Sequence, residues 1–120
     1  MLFSAVATSV FLSACTYDAN YSAERRERLL ALYPPGTLTR TDVHARFKNR
    51  PPTDSLTRPT GGWPASEYPI AAARAVESER RTGKQVQTLE RYLTPDGLFS
   101  LCYTWFYYDT NDRLTDAEWQ

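Results

Sequence analysis

Residues 98–109 read LFSLCYTWFYYD. Successive side chains of a strand point to opposite faces. Phe99, Leu101, Tyr103, Trp105 and Tyr107 therefore fall on one face, and Leu98, Cys102, Phe106 and Tyr108 on the other. Both sets are apolar or aromatic. A strand with one wet face would alternate with polar residues, so this one belongs in the middle of a sheet with at least one face under helices. Its flanks agree. KQVQTLERYL (84–93) has strand-forming residues and runs into Thr94-Pro95-Asp96-Gly97. There the proline presets φ and the glycine accepts a left-handed conformation, which makes a turn. Downstream, Asp109-Thr110-Asn111-Asp112 is a second polar turn, and RLTDAEWQ (113–120) closes a three-stranded antiparallel meander as an edge strand.

Ahead of the meander the pattern is helical. A first helix is expected from Ser22, a competent cap, to Leu32, with Leu29, Leu30 and Tyr33 as its apolar stripe and Arg25, Arg26 and Arg28 towards water. Tyr33-Pro34-Pro35-Gly36 stops it. Thr39-Arg40-Thr41-Asp42 is a capping box, flanked by the hydrophobic pair Leu38 and Val43. The short helix it opens carries Val43 and Phe47 on one face and ends at Asn49 and Pro51-Pro52. Residues 51–69, rich in Pro, Gly, Ser and Thr, read as a long surface loop pinned by Trp63. A third helix is expected over 66–81, with Gly83 as its stop, although AVESERR also fits a strand. The predicted architecture is α+β, with two or three helices packed on a three-stranded antiparallel meander in one small domain spanning 22–120.

The start of the chain has a different character. Residues 2–12, LFSAVATSVFL, contain no charge, proline or glycine. At about 1.5 Å per residue, such a helix is too short for a hydrocarbon core of roughly 30 Å, but it has the size of a signal-peptide apolar region. Leu12-Ser13-Ala14-Cys15 follows and resembles the bacterial lipobox, in which the cysteine is lipidated and becomes the first residue. The resemblance implies a signal peptide over 1–14, cleavage between Ala14 and Cys15, a lipid on Cys15 and a polar tether over 15–21. No Lys or Arg precedes the apolar run, which departs from the usual form. With Cys15 acylated, Cys102 has no partner in the chain and reads as a small core hydrophobe. Thr16 rather than an acid follows the cysteine, and the lipoprotein sorting rule that comes with the resemblance then implies outer-membrane placement facing the periplasm.

A second resemblance covers residues 36–51 and 98–119. Gly36, a short helix containing Val43, its end near Pro51 and the terminal FYYDTNDRLTDAEW are similar to the SmpA/OmlA (BamE-like) family of small outer-membrane lipoproteins. Seven steps rather than six separate Gly36 from Val43, and Asn49 stands where the family ends its helix with glycine. The resemblance implies a non-catalytic, two-layer αα-then-βββ envelope protein that binds other proteins or lipid.

Composition narrows the function. Fourteen Lys and Arg balance fourteen Asp and Glu, so no global field draws the chain to nucleic acid. The balance is uneven along the chain, with eight basic residues against four acidic over 24–58. His44 is the only histidine and reads as a surface or cap-side residue, so a His-based catalytic relay would have to use it. No four-ligand Cys/His zinc site can be assembled, and no other metal or cofactor is expected. Asp116 and Glu118 share a strand face, as an acid–base pair would, but on an exposed edge strand they read as solubility charges. Gly61-Gly62 precedes Trp-Pro and is no phosphate loop. The leading expectation is a membrane-anchored, non-catalytic module for other envelope proteins. The alternative is a peptidoglycan or carbohydrate binder that stacks sugars on Trp63, Tyr103, Trp105 or Tyr107. Covered rings with a bare strand edge favour the first, and an open aromatic groove the second.

Overall fold

The computed structural model describes residues 19–63, 69–96 and 100–119. The signal segment, the Ala14–Cys15 junction, Leu98 and Phe99 lie outside the described residues, as does the side chain of Cys102. Helix α1 is Ala19–Leu32. It takes in residues 19–21, which were expected to be tether, so Ser22 lies within the helix rather than capping it. No proline or glycine in that stretch prevents the extension. Helix α2 is Arg40–Arg46 and opens with the expected capping box. Thr39 Oγ1 accepts from the Asp42 N–H at 3.2 Å, and Asp42 Oδ2 accepts from the Thr39 N–H at 2.9 Å. Phe47 caps the C-terminus of α2, and Lys48 and Asn49 then turn left-handed (φ 55° and 57°), so Asn49 has the expected conformation but lies just beyond the helix end. Helix α3 is Pro69–Thr82. Gly83 stops it at φ 71°, with its N–H on Glu79 O at 2.8 Å.

Four strands, not three, make the sheet: β1 Asp54–Thr57, β2 Thr88–Asp96, β3 Ser100–Tyr108 and β4 Leu114–Trp119, ordered β1-β2-β3-β4 and antiparallel throughout. The fold is α+β as expected. The extra strand lies inside the predicted 51–69 loop, where four residues between prolines pair Asp54 with Arg91 and Thr57 with Thr88. Strands β2 and β3 pair in full register from Thr88↔Tyr108 to Asp96↔Ser100. Thr94, Pro95 and Asp96, expected in a turn, are therefore the last residues of β2, and Gly97 lies outside the described residues. In β4 the register slips between Asp116↔Tyr107 and Leu114↔Tyr108. Thr115 is the extra residue of this bulge, and its hydroxyl donates to Tyr107 O at 3.2 Å.

The two apolar faces of β3 are both covered, which makes three layers rather than two. On one face Phe106, Tyr108, Tyr92, Leu114 and Ala117 pack with Leu29 of α1 and Val43 of α2. On the other, Trp105, Tyr107, Leu89 and Val86 pack with Ala71 and Ala75 of α3, and Trp63 and Leu56 join them. Burying two aromatic faces in water-free contact is the main driving force, and one helical layer cannot do it. Phe47 stacks on Tyr92 at 4.0 Å, and Phe106 meets Tyr92 edge-on at 5.9 Å.

The two margins of the sheet differ. At β4 the α1–α2 connection adds main-chain bonds: Leu114 N–H to Leu38 O at 2.9 Å, Gly36 N–H to Leu114 O and Arg40 N–H to Asp112 O, both at 2.8 Å. Helix α1 packs chiefly on the same strand, and Arg25, expected in water, is buried with its guanidinium 4.4 Å above the Trp119 ring. At the other margin no described segment pairs with the outer side of β1. Helices α1 and α3 both begin at the end of the sheet where β4 finishes: Arg25 lies over Trp119, and Arg74 Nη1 lies 3.4 Å from Glu118.

Candidate functional site

Two carboxylate clusters are buried on opposite faces of the sheet, and neither was expected. The first centres on Glu90 of β2, which is 0% exposed. Its neighbours Thr88 and Tyr92 share its face, so strand periodicity turns its carboxylate inward, beneath α2. Arg40 donates through Nε (3.1 Å) and Nη2 (2.9 Å) to Oε2, His44 Nε2 donates to Oε1 at 2.6 Å, and Ser55 Oγ donates to Oε2 at 3.1 Å. Arg40 and His44 are four apart on α2, one helical turn, which brings both over the same carboxylate. Ser55 comes from β1. The expected surface histidine is thus half-buried and hydrogen-bonded to Glu90.

The second cluster holds Asp116 and Glu118 of β4. They do share one strand face, but Asp116 is 0% exposed and Glu118 is buried, which overturns the solvated-edge reading. Helices from both layers reach them. Arg26 of α1 donates to Asp116 Oδ1 at 2.7 Å, while Ser78 Oγ of α3 donates to Oδ2 at 2.8 Å and Arg81 of α3 pairs with the same oxygen. Glu118 accepts from the buried Tyr107 hydroxyl and lies 3.4 Å from Arg74 and 3.6 Å from Arg81. Removing a charge from water costs several kcal/mol unless opposite charge and hydrogen bonds replace the water. Both clusters meet that condition.

The buried tyrosines feel these charges. Burial, and then the Glu90 carboxylate, push the Tyr92 phenol up to about 12. The same two causes hold the Tyr108 phenol well above its ordinary value. Burial and Glu118 do the same to Tyr107. The Asp42 carboxyl is held below the usual carboxylate range by the Thr39 N–H and hydroxyl.

The geometry limits the chemistry. In a Ser–His–acid relay the imidazole lies between the hydroxyl and the carboxylate and draws the proton from serine. Around Glu90 the carboxylate is in the middle, with Ser55 and His44 both donating to it, so His44 does not activate Ser55. Asp116 and Glu118 are each matched to arginines, which suits holding elements together rather than moving protons. Among the described residues, no three His, Cys, Asp or Glu side chains gather as metal ligands.

The aromatic candidates do not form an open groove. Trp105 and Tyr107 are buried in the α3-side core, and Trp63 packs on that core as the pin of its loop. Tyr103 is half-buried, and the Arg91 guanidinium lies 4.0 Å over its ring and 5.3 Å over Trp105, so Arg91 takes the ring faces a sugar would use. Trp63, Tyr103, Trp105 and Tyr107 come together only as core and its lid. Comparison with known proteins returned no matching family model, no matching curated protein and no matching solved structure.

The sequence reading missed Arg40, Ser55 and Glu90. One signal was available: Glu90 falls on the same strand parity as Tyr92, so a sheet covered on both faces must bury it.

Proposed function

We propose that this protein is a lipoprotein of the cell envelope, anchored through Cys15 in the outer membrane and facing the periplasm, and that it works as a non-catalytic protein-binding module. The anchor reading is supported by the apolar run and the Leu12-Ser13-Ala14-Cys15 motif. The observation that carries the binding reading is the contrast between buried aromatic rings and the outer edge of β1, with which no described segment pairs. An edge strand offers unpaired N–H and C=O groups to which another protein can add a strand. A role in outer-membrane assembly or maintenance accords with the BamE-like resemblance, with β1 and α3 inserted between the αα pair and the βββ meander. Sugar binding is the weaker reading, because Arg91 covers Tyr103 and Trp105.

Two measurements test this. Growth with a palmitate analogue should label wild type in the outer-membrane fraction and leave Cys15→Ala unlabelled. A photo-crosslinker in place of Thr57, which is exposed on β1, should capture a discrete envelope protein, and Ser55→Pro should abolish the capture. Equal labelling of the Cys15→Ala variant defeats the anchor. Capture that survives the proline defeats the edge.

A further inference from the structure

We infer that the strand which adds to β1 is the β1 of a second copy of this chain, so that two four-stranded sheets join across a two-fold axis into one continuous antiparallel sheet. The inference rests on the edge reading above and names the occupant of that edge. Strand β1 lies outside residues 36–51 and 98–119, so the family resemblance does not bear on it.

Which groups of β1 face outward follows from its bonds to β2. Thr53 N–H donates to Arg91 O at 2.7 Å, and Arg58 N–H donates to Gln87 O at 2.6 Å. Alternate residues of a strand turn their N–H and C=O to opposite sides. Gln87, Leu89 and Arg91 therefore face β1, and Leu56 and Asp54, paired with Leu89 and Arg91, face back. Ser55 and Thr57, opposite Glu90 and Thr88, turn theirs outward. Side chains alternate as well. Asp54, Leu56 and Arg58 lie on the α3 side, where Leu56 joins the Trp105 cluster and Arg58 pairs with Glu79 at 2.7 Å.

The stretch Asp54-Ser55-Leu56-Thr57-Arg58 is complementary to itself. A two-fold axis at Leu56 runs two β1 strands antiparallel, an isologous contact. Ser55 of each copy then exchanges both main-chain bonds with Thr57 of the other. Leu56 faces Leu56, and Asp54 of each copy faces Arg58 of the other on the same side of the sheet. Asp54 and Arg58 already pair with Arg91 and Glu79, but their side chains stay 43% and 27% exposed, which leaves room for a second partner. Neighbouring registers lose these matches. Slipped by two residues one way, Asp54 faces Leu56, and the next residue in the ladder is Thr53, whose N–H is already on Arg91 O. Slipped the other way, Arg58 faces Leu56, and the next residue is Pro59, which has no N–H. A strand of any sequence could make the main-chain bonds; the order of charges about Leu56 selects a copy of itself.

The test uses the full chain in intact envelopes, oxidised with copper phenanthroline, with disulfide-linked peptides assigned by mass spectrometry. Leu56→Cys falls on the axis, where facing α-carbons lie about 4.5 Å apart, within disulfide reach. Ser55→Cys and Thr57→Cys are out of step with their own counterparts by two residues, about 7 Å or more apart and beyond that reach. A 56–56 link at least tenfold above any 55–55 or 57–57 link is expected. In the Leu56→Cys background, Asp54→Arg or Arg58→Asp sets like charges face to face at two places. Each reversal weakens pairing about fivefold, so the link should fall about 25-fold. Expressed together, the two variants are complementary again, and a link joining one to the other should return. No 56–56 link, or one no stronger than the 55–55 and 57–57 links, overturns the second copy. If the photo-crosslinker at Thr57 then captures a different envelope protein, the edge reading stands with another occupant; if it captures nothing, both readings fall. A link that survives the single reversals, or fails to return when the two variants, shown folded by circular dichroism, are combined, removes the self-recognition.

Discussion

Glu90 and Asp116 pose one physical problem on opposite faces of the same sheet, and the chain answers it in two ways. Glu90 takes its partners from α2 and from the neighbouring strand, so the cluster fastens small local pieces to the centre of the sheet. Asp116 lies on the closed margin and takes Arg26 from α1 and Arg81 from α3, helices on opposite sides of the sheet. The first arrangement is local and the second ties the layers together. Losing a partner should therefore open α2 in one case and loosen the whole domain in the other.

The largest expected effect tests the second half of that contrast. Arg81→Ala leaves Asp116 with Arg26 and Ser78 and strips one cation from Glu118. Breaking a buried pair from one side costs about 3 kcal/mol here, at the low end of such losses because two partners remain. Urea unfolding should show it as a single cooperative shift. A change confined to α3 would break the comparison.

Alkali strains both faces at once. A phenol whose folded value is raised is favoured neutral, so its contribution is complete below the unfolded value near 10 and is lost as pH rises through the folded value. For Tyr92, pushed up to about 12, the window is pH 10–12. Two units correspond to roughly 2–3 kcal/mol. Tyr107 and Tyr108, also raised, deepen the loss. Unfolding free energy measured at pH 8, 10 and 12 should fall across that window in step with phenolate absorbance, and by less in Tyr92→Phe.

His44→Ala tests the local half. Arg40 and Ser55 still hold Glu90, so about 1–2 kcal/mol is expected, the range for a bond to a charged group. Hydrogen exchange should quicken in α2 and leave α1 and α3 protected. Thr39→Ala removes the cap that seats α2 over Glu90 and should cost about 1 kcal/mol. The Asp42 carboxyl is held low by Thr39, so its share of the cap is present above the ordinary carboxylate value and is lost as pH falls through the lowered one. The difference between Thr39→Ala and wild type should therefore narrow in acid.

What could be read in the letters was local in origin. The two-sided aromatic run placed β3 in the middle of the sheet, the Thr39–Asp42 box marked the start of α2, and Asn49 lies in the left-handed turn just beyond its end. Strand β1 was hidden because four residues between prolines carry too little pattern to outweigh their surroundings. The buried charges were hidden for another reason. A lone Asp or Glu on a strand reads as solvated unless its partner is nearby, and Arg26 stands ninety positions from Asp116, Arg40 fifty from Glu90. The helical layer over the second face, by contrast, followed from β3 alone and needed only to be counted.

The Arg26–Asp116 tie also bears on the order of assembly. On a ribosome, α1 emerges early, yet the strand it packs on is made ninety residues later, so its apolar stripe has nothing to dock against for most of synthesis. Contacts so distant in the chain close slowly. A chain that cannot finish folding until β4 appears stays open in the meantime, and is exposed to proteases until then.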